Sequence, residues 1–376
     1  MTPLFGVLRY SFARRGSLTA AGFIALVLAG GAATADPPAP RSGQRDRPCH
    51  ALTDLGPVSF NGLANAGLGV NIQGTVVGAT ERWDSKLRGF LYRKGEVTQL
   101  GTLGGTMSDA RAINARGQAV GGAWTVDDAA VHAALFYKGK VHDLGTLDDK
   151  DPYSISFAVD INEFGSAAGN AFTPGGPLHA TLWIGGKIVD LSVKQMAGTL
   201  GGPDRNSYAD GINDWGVASG GAQDKEGIYH AVIWRNGKIF DLGALPGDSQ
   251  SFGRKINNAG EVCGSSGSND TAVLFRHGLI VRLGDLGGGF TWCEDVGDQG
   301  HAVGLSVSSD GFAQAVLWRD EEEGLINLNT TIPPDPGLLL FFASRINWRG
   351  QIAAYGTRDF NSAIGFLLTP MECRED

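Results

Sequence analysis

The sequence predicts an all-β fold: a seven-bladed β-propeller of four-stranded antiparallel blades, closed by an N-terminal strand that completes the last blade. Three observations predict it. A motif of Ile or Val, then Asn, two variable residues and Gly recurs seven times, starting at Val70, Ile113, Ile161, Ile212, Ile256, Val296 and Ile346. Its Asn positions are Asn71, Asn114, Asn162, Asn213, Asn257 and Asn347, with Gly297 standing in for the sixth, at spacings of 43, 48, 51, 44, 40 and 50 residues. Repeats of that period belong to propellers, solenoids or arrays. Finally, the last unit lacks a fourth apolar segment, and the start of the chain carries a spare one, Leu52 to Gly56.

Residues 1–35 read as an export signal rather than as part of the fold. Arg9, Arg14 and Arg15 precede an apolar run from Leu18 to Leu28, too short for a comfortable membrane span. Ala33-Thr34-Ala35 fits a signal-peptidase site before Asp36. Cleavage there removes three basic residues and no acidic one, taking the formal net charge from −8 to −11. So acidic a product repels phosphate instead of releasing its counterions, which argues against nucleic acid as a partner. Residues 36–50, rich in Pro, Arg, Asp and Ser, read as a flexible leader, residues 51–370 as the propeller and residues 371–376 as a tail. The expectation is a secreted or periplasmic monomer with no membrane association after cleavage.

Each unit has four short apolar pieces. In the third unit the first ends at Asp160-Ile161-Asn162, the second follows Gly165, the third is Thr181-Leu182-Trp183 and the fourth is Asp190-Leu191. An Asx residue followed three positions later by Gly is hairpin chemistry, because the Gly supplies the left-handed backbone that resets strand twist. A second turn, such as Lys94-Gly95, Lys138-Gly139 or Asn236-Gly237, joins pieces three and four. The pieces are too short for helices, and two successive hairpins make a four-stranded meander. One such sheet cannot bury both faces, but seven arranged radially can. Trp183, Trp234 and Trp318 would fill the gaps between sheets. Small residues three before each Ile or Val, namely Gly67, Ala110, Ala158, Ala209, Gly253, Cys293 and Ala343, suit crowded inner strands.

With these elements assigned, the chain resembles the HAF-repeat family of extracellular repeat proteins. The matching tripeptides are His132-Ala133-Ala134, His179-Ala180-Thr181 and His230-Ala231-Val232, and the family's linking phrase appears from Leu100 to Gly105. The resemblance spans about residues 51–370. It implies secretion and a propeller, and it carries no catalytic residues over.

The four cysteines form an even set, which favours disulfides in an exported protein. Cys49 and Cys373 flank the segments that would meet at ring closure. Cys263 and Cys293 fall in adjacent blades, where a bond and buried free thiols are both open. His132, His179 and His230 occupy equivalent outer positions and read as structural. The acids Asp127, Asp128, Asp148, Asp149 and Asp151 match no calcium motif, and Asp320 to Glu323 reads as solvated surface. No Ser-His-Asp order, nucleophile elbow or close carboxylate pair stands out, so no catalytic residue, metal ligand or cofactor is assigned. The resulting reading is an exported, non-catalytic module binding a glycan, peptide or protein partner, with Asp148 to Tyr153 and Ile332 to Leu340 as candidate contact loops. An exported hydrolase or lyase with a site in the central channel is the alternative, which a channel lined by acids, Arg and Tyr would favour.

Overall fold

The computed structural model describes residues 49–58, 68–81, 84, 86–192, 200–268, 270–319, 324–360 and 362–372. The signal segment, Gly67, Asp320 to Glu323 and Cys373 lie outside the described residues. Strands form seven four-stranded antiparallel sheets. Six are simple meanders in chain order, beginning with blade 1 at Gly69–Val70, Val76–Glu81, Leu87–Arg93 and Glu96–Gln99. Blade 7 takes Leu339–Ile346, Ile352–Thr357 and Ile364–Met371 from the end of the chain and its outermost strand, Cys49–Pro57, from the start. The chain is therefore a seven-bladed propeller with a closed ring.

The closing strand starts two residues earlier than expected. Cys49 and His50, assigned above to the flexible leader, pair with Met371 and Pro370. His50 is held by its backbone N–H, which donates to Thr331 O at 2.8 Å. This tie lies outside any hydrophobic pattern, so composition alone assigns the residue to the leader.

The repeated turns are built alike. In blade 2 the Asn114 N–H donates to Gln118 O, Gly117 N–H donates to Asn114 O, and Asn114 Oδ1 accepts from the N–H groups of Arg116 and Gln118. The motif glycines, from Gly74 to Gly350, all lie at φ between +71° and +87°, where a side chain would be strained. The outer hairpins turn through positive φ as well, at Lys94, Lys138, Asn236 and His277, as two-residue turns require.

Buried apolar clusters fill the gaps between blades. Ala168 and Leu182 of blade 3 meet Ala209, Val232 and Trp234 of blade 4, and Val303 and Leu317 of blade 6 meet Ile346, Ile352 and Phe366 of blade 7. Trp183, Trp234 and Trp318 are all buried in such gaps. Between blades 5 and 6 the open choice is decided: Cys263 and Cys293 form a disulfide, with a Cα–Cα distance of 5.6 Å. Cys49 is disulfide-bonded too.

The Asn motif does more than turn the chain. Each Asn Nδ2 donates to the backbone carbonyl of the equivalent residue in the next blade: Asn71 to Asn114, Asn114 to Asn162, Asn162 to Asn213, Asn213 to Asn257, Asn257 to Gly297, and Asn347 back to Asn71, at 2.8–3.1 Å. Glycine at 297 breaks the ring between blades 6 and 7. A Cβ built there would sit 3.4 Å from Ile346 Cγ2, ordinary van der Waals contact. Gly297→Asn is therefore expected to complete the ring and stabilise the fold by about 0.5–1.5 kcal/mol, the net worth of one hydrogen bond. Urea unfolding would show it as a raised midpoint with an unchanged slope.

Candidate functional site

In every blade the first strand runs along the channel and ends at the Asn turn. The Asn turns and the outer hairpins consequently share one face. Crossovers between blades, including Asp148 to Tyr153 and Ile332 to Leu340, lie on the opposite face.

The turn face is both clasped and aromatic. In blades 2 to 5 the residue after the Asn reaches forward to its neighbour: Ala115 N–H donates to Glu163, Glu163 N–H to Asp214, Asp214 N–H to Asn258 and Asn258 N–H to Asp298, at 2.8–3.0 Å. One residue on, the tips project outward. Trp215 is 78% exposed and Phe164 on the adjacent blade 68%. The Trp215 indole N–H donates to Asn258 O at 3.0 Å, which fixes the ring while leaving its surface open. Trp348, also exposed, has the Arg349 guanidinium 5.2 Å from its ring centre.

Beneath this mouth the channel is charged. The residue two before each Asn is small in blades 1, 2 and 4 (Gly69, Ala112, Gly211) and ionic in blades 3, 5, 6 and 7 (Asp160, Lys255, Asp295, Arg345). The four ionic residues share a cavity of about 160 Å³ with Val70, Ile113, Ile256 and Ile346. Asp160 accepts the N–H of Ile212, and Asp295 that of Ile346, so each carboxylate also joins its blade to the next. Lys255 Nζ lies 3.4 Å from Asp160 and donates to Val159 O at 3.1 Å.

One position earlier lies a second ionic layer, of Arg111, Asp210, Arg254 and Glu294. Arg254 approaches Asp210 at 3.3 Å and Glu294 at 3.9 Å and lies 4.1 Å above the Trp292 ring. Arg345 reaches Glu294 at 3.4 Å, and Arg111 pairs with Asp109 at 2.7 Å. Five first strands carry an aromatic five residues before the Asn position: Phe157, Tyr208, Phe252, Trp292 and Phe342. Glycine in the second strand lets the chain pass them, since a Cβ at Gly169, Gly220 or Gly304 would run into the carbonyls of Phe157, Tyr208 and Trp292.

Burial governs the ionisation of these groups. It raises the carboxyls of Asp210 and Asp295, with Arg254 opposing the first shift and Arg345 the second. It lowers the Lys255 ammonium, with help from the like charge of Arg345 and against the pull of Asp160. Burial also opposes charge on Arg254 and Arg345, but the neighbouring carboxylates, Glu294 and Asp210 for the former and Asp295 and Glu294 for the latter, outweigh it and hold both above the ordinary value. Tyr208 is pushed well up by burial and then by Asp210.

The three histidines of the tripeptides sit on third strands, each bonded through Nδ1 to an aspartate eleven residues on: His132 to Asp143, His179 to Asp190 and His230 to Asp241, at 2.8–2.9 Å. The constant separation is the signal that could have paired them. Burial would raise the Asp143 carboxyl, but hydrogen bonds from His132 and from Gly145 N–H hold it below the usual range. Asp128 is tied down as well: its Oδ1 accepts from Thr106 N–H and its Oδ2 from Thr106 Oγ1, both at 2.6 Å. Among the described residues no group of three His, Cys, Asp or Glu is arranged to hold a metal ion.

No protein-family model matches the chain, and no curated protein matches it. Among solved structures, it is similar to the β-propeller domain of the Trilobed protease from Pyrococcus furiosus, at 10% identity over 69% of this chain and 82% of that one, TM-score 0.46. It is also similar to a putative TolB from Agrobacterium tumefaciens, at 13% identity over 82% and 90%, TM-score 0.41. A third is a puromycin-hydrolyzing peptidase of Mycobacterium tuberculosis, at 13% identity over 80% of this chain and 50% of that one, TM-score 0.47. Similarity at this level concerns the fold alone, and propellers host many functions.

Proposed function

We propose that the protein is an exported, non-catalytic binding propeller of the HAF-repeat type that takes a glycan on its turn face. The observation that carries this reading is Trp215. Its polar edge is spent on Asn258, its ring surface is open, and Phe164 stands exposed on the next blade. An aromatic face held in place among polar turn groups suits the apolar face of a sugar ring better than an extended protein interface, which would need a contiguous apolar core. The disulfides at Cys49 and Cys263–Cys293 fit an oxidising compartment, periplasmic or extracellular. A single acidic chain acting alone, with neither nucleic acid nor membrane as partner, completes the proposal.

The test is binding of the mature chain to a glycan array, followed by titration of Trp215→Ala and Phe164→Ala. Losing a fixed aromatic anchor is expected to weaken binding tenfold or more with the melting temperature unchanged. A silent array, or hits whose affinity ignores both substitutions, would refute the glycan reading.

A second reading has one observation in its favour. Acids and Arg do lie together at the channel, and the raised Asp210 carboxyl beside Arg254 is what an acid catalyst needs, although Tyr208 packs away from it against Tyr229 of the third strand. Against it, Asp109, Asp160, Asp210 and Glu294 are each committed to an ion pair. Turnover of a bound glycan, lost in Asp210→Asn with binding intact, would establish the hydrolase or lyase alternative.

A further inference from the structure

We propose that the channel cavity under the turn face is a binding site for a small zwitterion, a molecule carrying one ammonium and one carboxylate. The site is independent of the glycan reading and uses none of its residues.

The cavity is built by four side chains that are themselves almost wholly enclosed or nearly so. Asp295 is 7% exposed, Arg345 8% and Lys255 4%. Two of them keep unspent hydrogen-bonding capacity. Asp295 Oδ2 accepts from Ile346 N–H, whereas Oδ1 has no hydrogen bond among the described residues. Arg345 spends Nη1 on Ser344 O and Glu294, leaving Nε and Nη2 without a hydrogen bond there. Both residues line the cavity, on adjacent blades. Neither edge is cut off from solvent, so both open into the cavity, where water or a ligand's polar groups can meet them.

The charge balance selects the ligand class. Asp160 and Asp295 cancel Lys255 and Arg345. A ligand with net charge would enter such a neutral site without a compensating counter-charge, at a desolvation cost. A zwitterion keeps the balance: its carboxylate takes the open donors of Arg345 and its ammonium the open Oδ1 of Asp295. The guanidinium is the fit donor for a carboxylate, because its paired N–H groups match both oxygens.

Size is compatible as well. A cavity of about 160 Å³ holds several waters and admits a small amino acid. Gly69, Ala112 and four aliphatic residues complete the lining. Because these residues immediately precede the Asn turns, the ligand enters through the turn-face mouth.

The experiment is calorimetric titration of the full mature protein with glycine and with L-alanine. Acetate and methylammonium, the two half-ligands, are titrated alongside at the same pH and salt. Saturable binding of a zwitterion at least tenfold tighter than either half is expected. Asp295→Asn keeps an acceptor for Ile346 N–H and is expected to lose that preference, and Arg345→Lys is expected to weaken the zwitterion at least tenfold. No saturable heat with either amino acid, meaning ordered water only, overturns the proposal. So does binding no tighter than that of the halves, a result that needs no variant to fold. Loss of glycan binding in Trp215→Ala with amino-acid binding retained would separate the two sites.

Discussion

Lowering the pH from about 6.5 to about 4 is expected to cost the fold about 3 kcal/mol through His50 alone. His50 lies on the closing strand, 2% exposed, with Nδ1 2.9 Å from Thr331 Oγ1. The Thr331 hydroxyl donates to Leu328 O, so its proton is committed and the imidazole must be the donor at Nδ1. Further protonation has to occur at Nε2, inside the protein. Burial first, and the charge of Arg319 second, lower the pKa of His50 from 6.5 to about 4. The unfolded chain takes up its proton near the ordinary value, and the folded chain does not until about 4. Stability from this group is therefore complete above pH 6.5, falls as pH drops between the two values and levels off below. At about 1.4 kcal/mol per pH unit, the interval gives the stated figure. The effect falls where the ring is joined, because Cys49–Pro57 is the strand that the N-terminal part of the chain gives to blade 7. Urea unfolding at pH 7 and pH 4.5 should show a steep loss in the wild type and a much shallower one in His50→Gln. Equal losses in the two proteins would remove His50 as the cause.

The fold was legible because the turn chemistry repeats. Asn and Gly three positions apart are required by backbone geometry, so they persist where the intervening residues vary, and seven copies give the blade count. Ring closure followed from one missing and one spare segment. The channel was not legible in the same way. The period says which residues are equivalent, not which equivalents touch. Asn71 and Asn114 look like two turns, and only at the narrow axis does one side chain reach the next carbonyl. A signal for the channel was present but unread: the position two before each Asn alternates between small residues and the four ions Asp160, Lys255, Asp295 and Arg345. A charge in a column otherwise filled by Gly69, Ala112 and Gly211 is unexpected in a buried strand end, and it marks the place where seven strands converge on a space. The exposed Trp215 and Phe164 escaped notice because variable turn positions tolerate any residue, and sequence does not report that Asn258 holds the indole.

Replacing Arg254 by Met is expected to destabilise the propeller by about 3–5 kcal/mol, the cost of leaving buried charge without its partner. Arg254 stands between Asp210 and Glu294 and covers the Trp292 ring. Glu294 retains Arg345 at 3.4 Å and the Trp292 indole N–H at 2.9 Å, so it survives the substitution in part. Asp210 is 5% exposed and has no second ion pair among the described residues. Its carboxyl, already raised by burial with Arg254 the foremost opposing charge, would rise further once that cation is gone. A carboxyl raised in the folded state penalises folding above its folded pKa, and the penalty is relieved as pH falls through that value. The variant should thus recover part of its lost stability in mild acid. Adding Asp210→Asn to Arg254→Met removes the orphaned charge and should restore more than half of the loss. A double-mutant cycle in urea reads the coupling directly. Additive losses in the two single variants would show that the ionic layer of the channel is solvated, and the low-dielectric argument for its pairing would then fail.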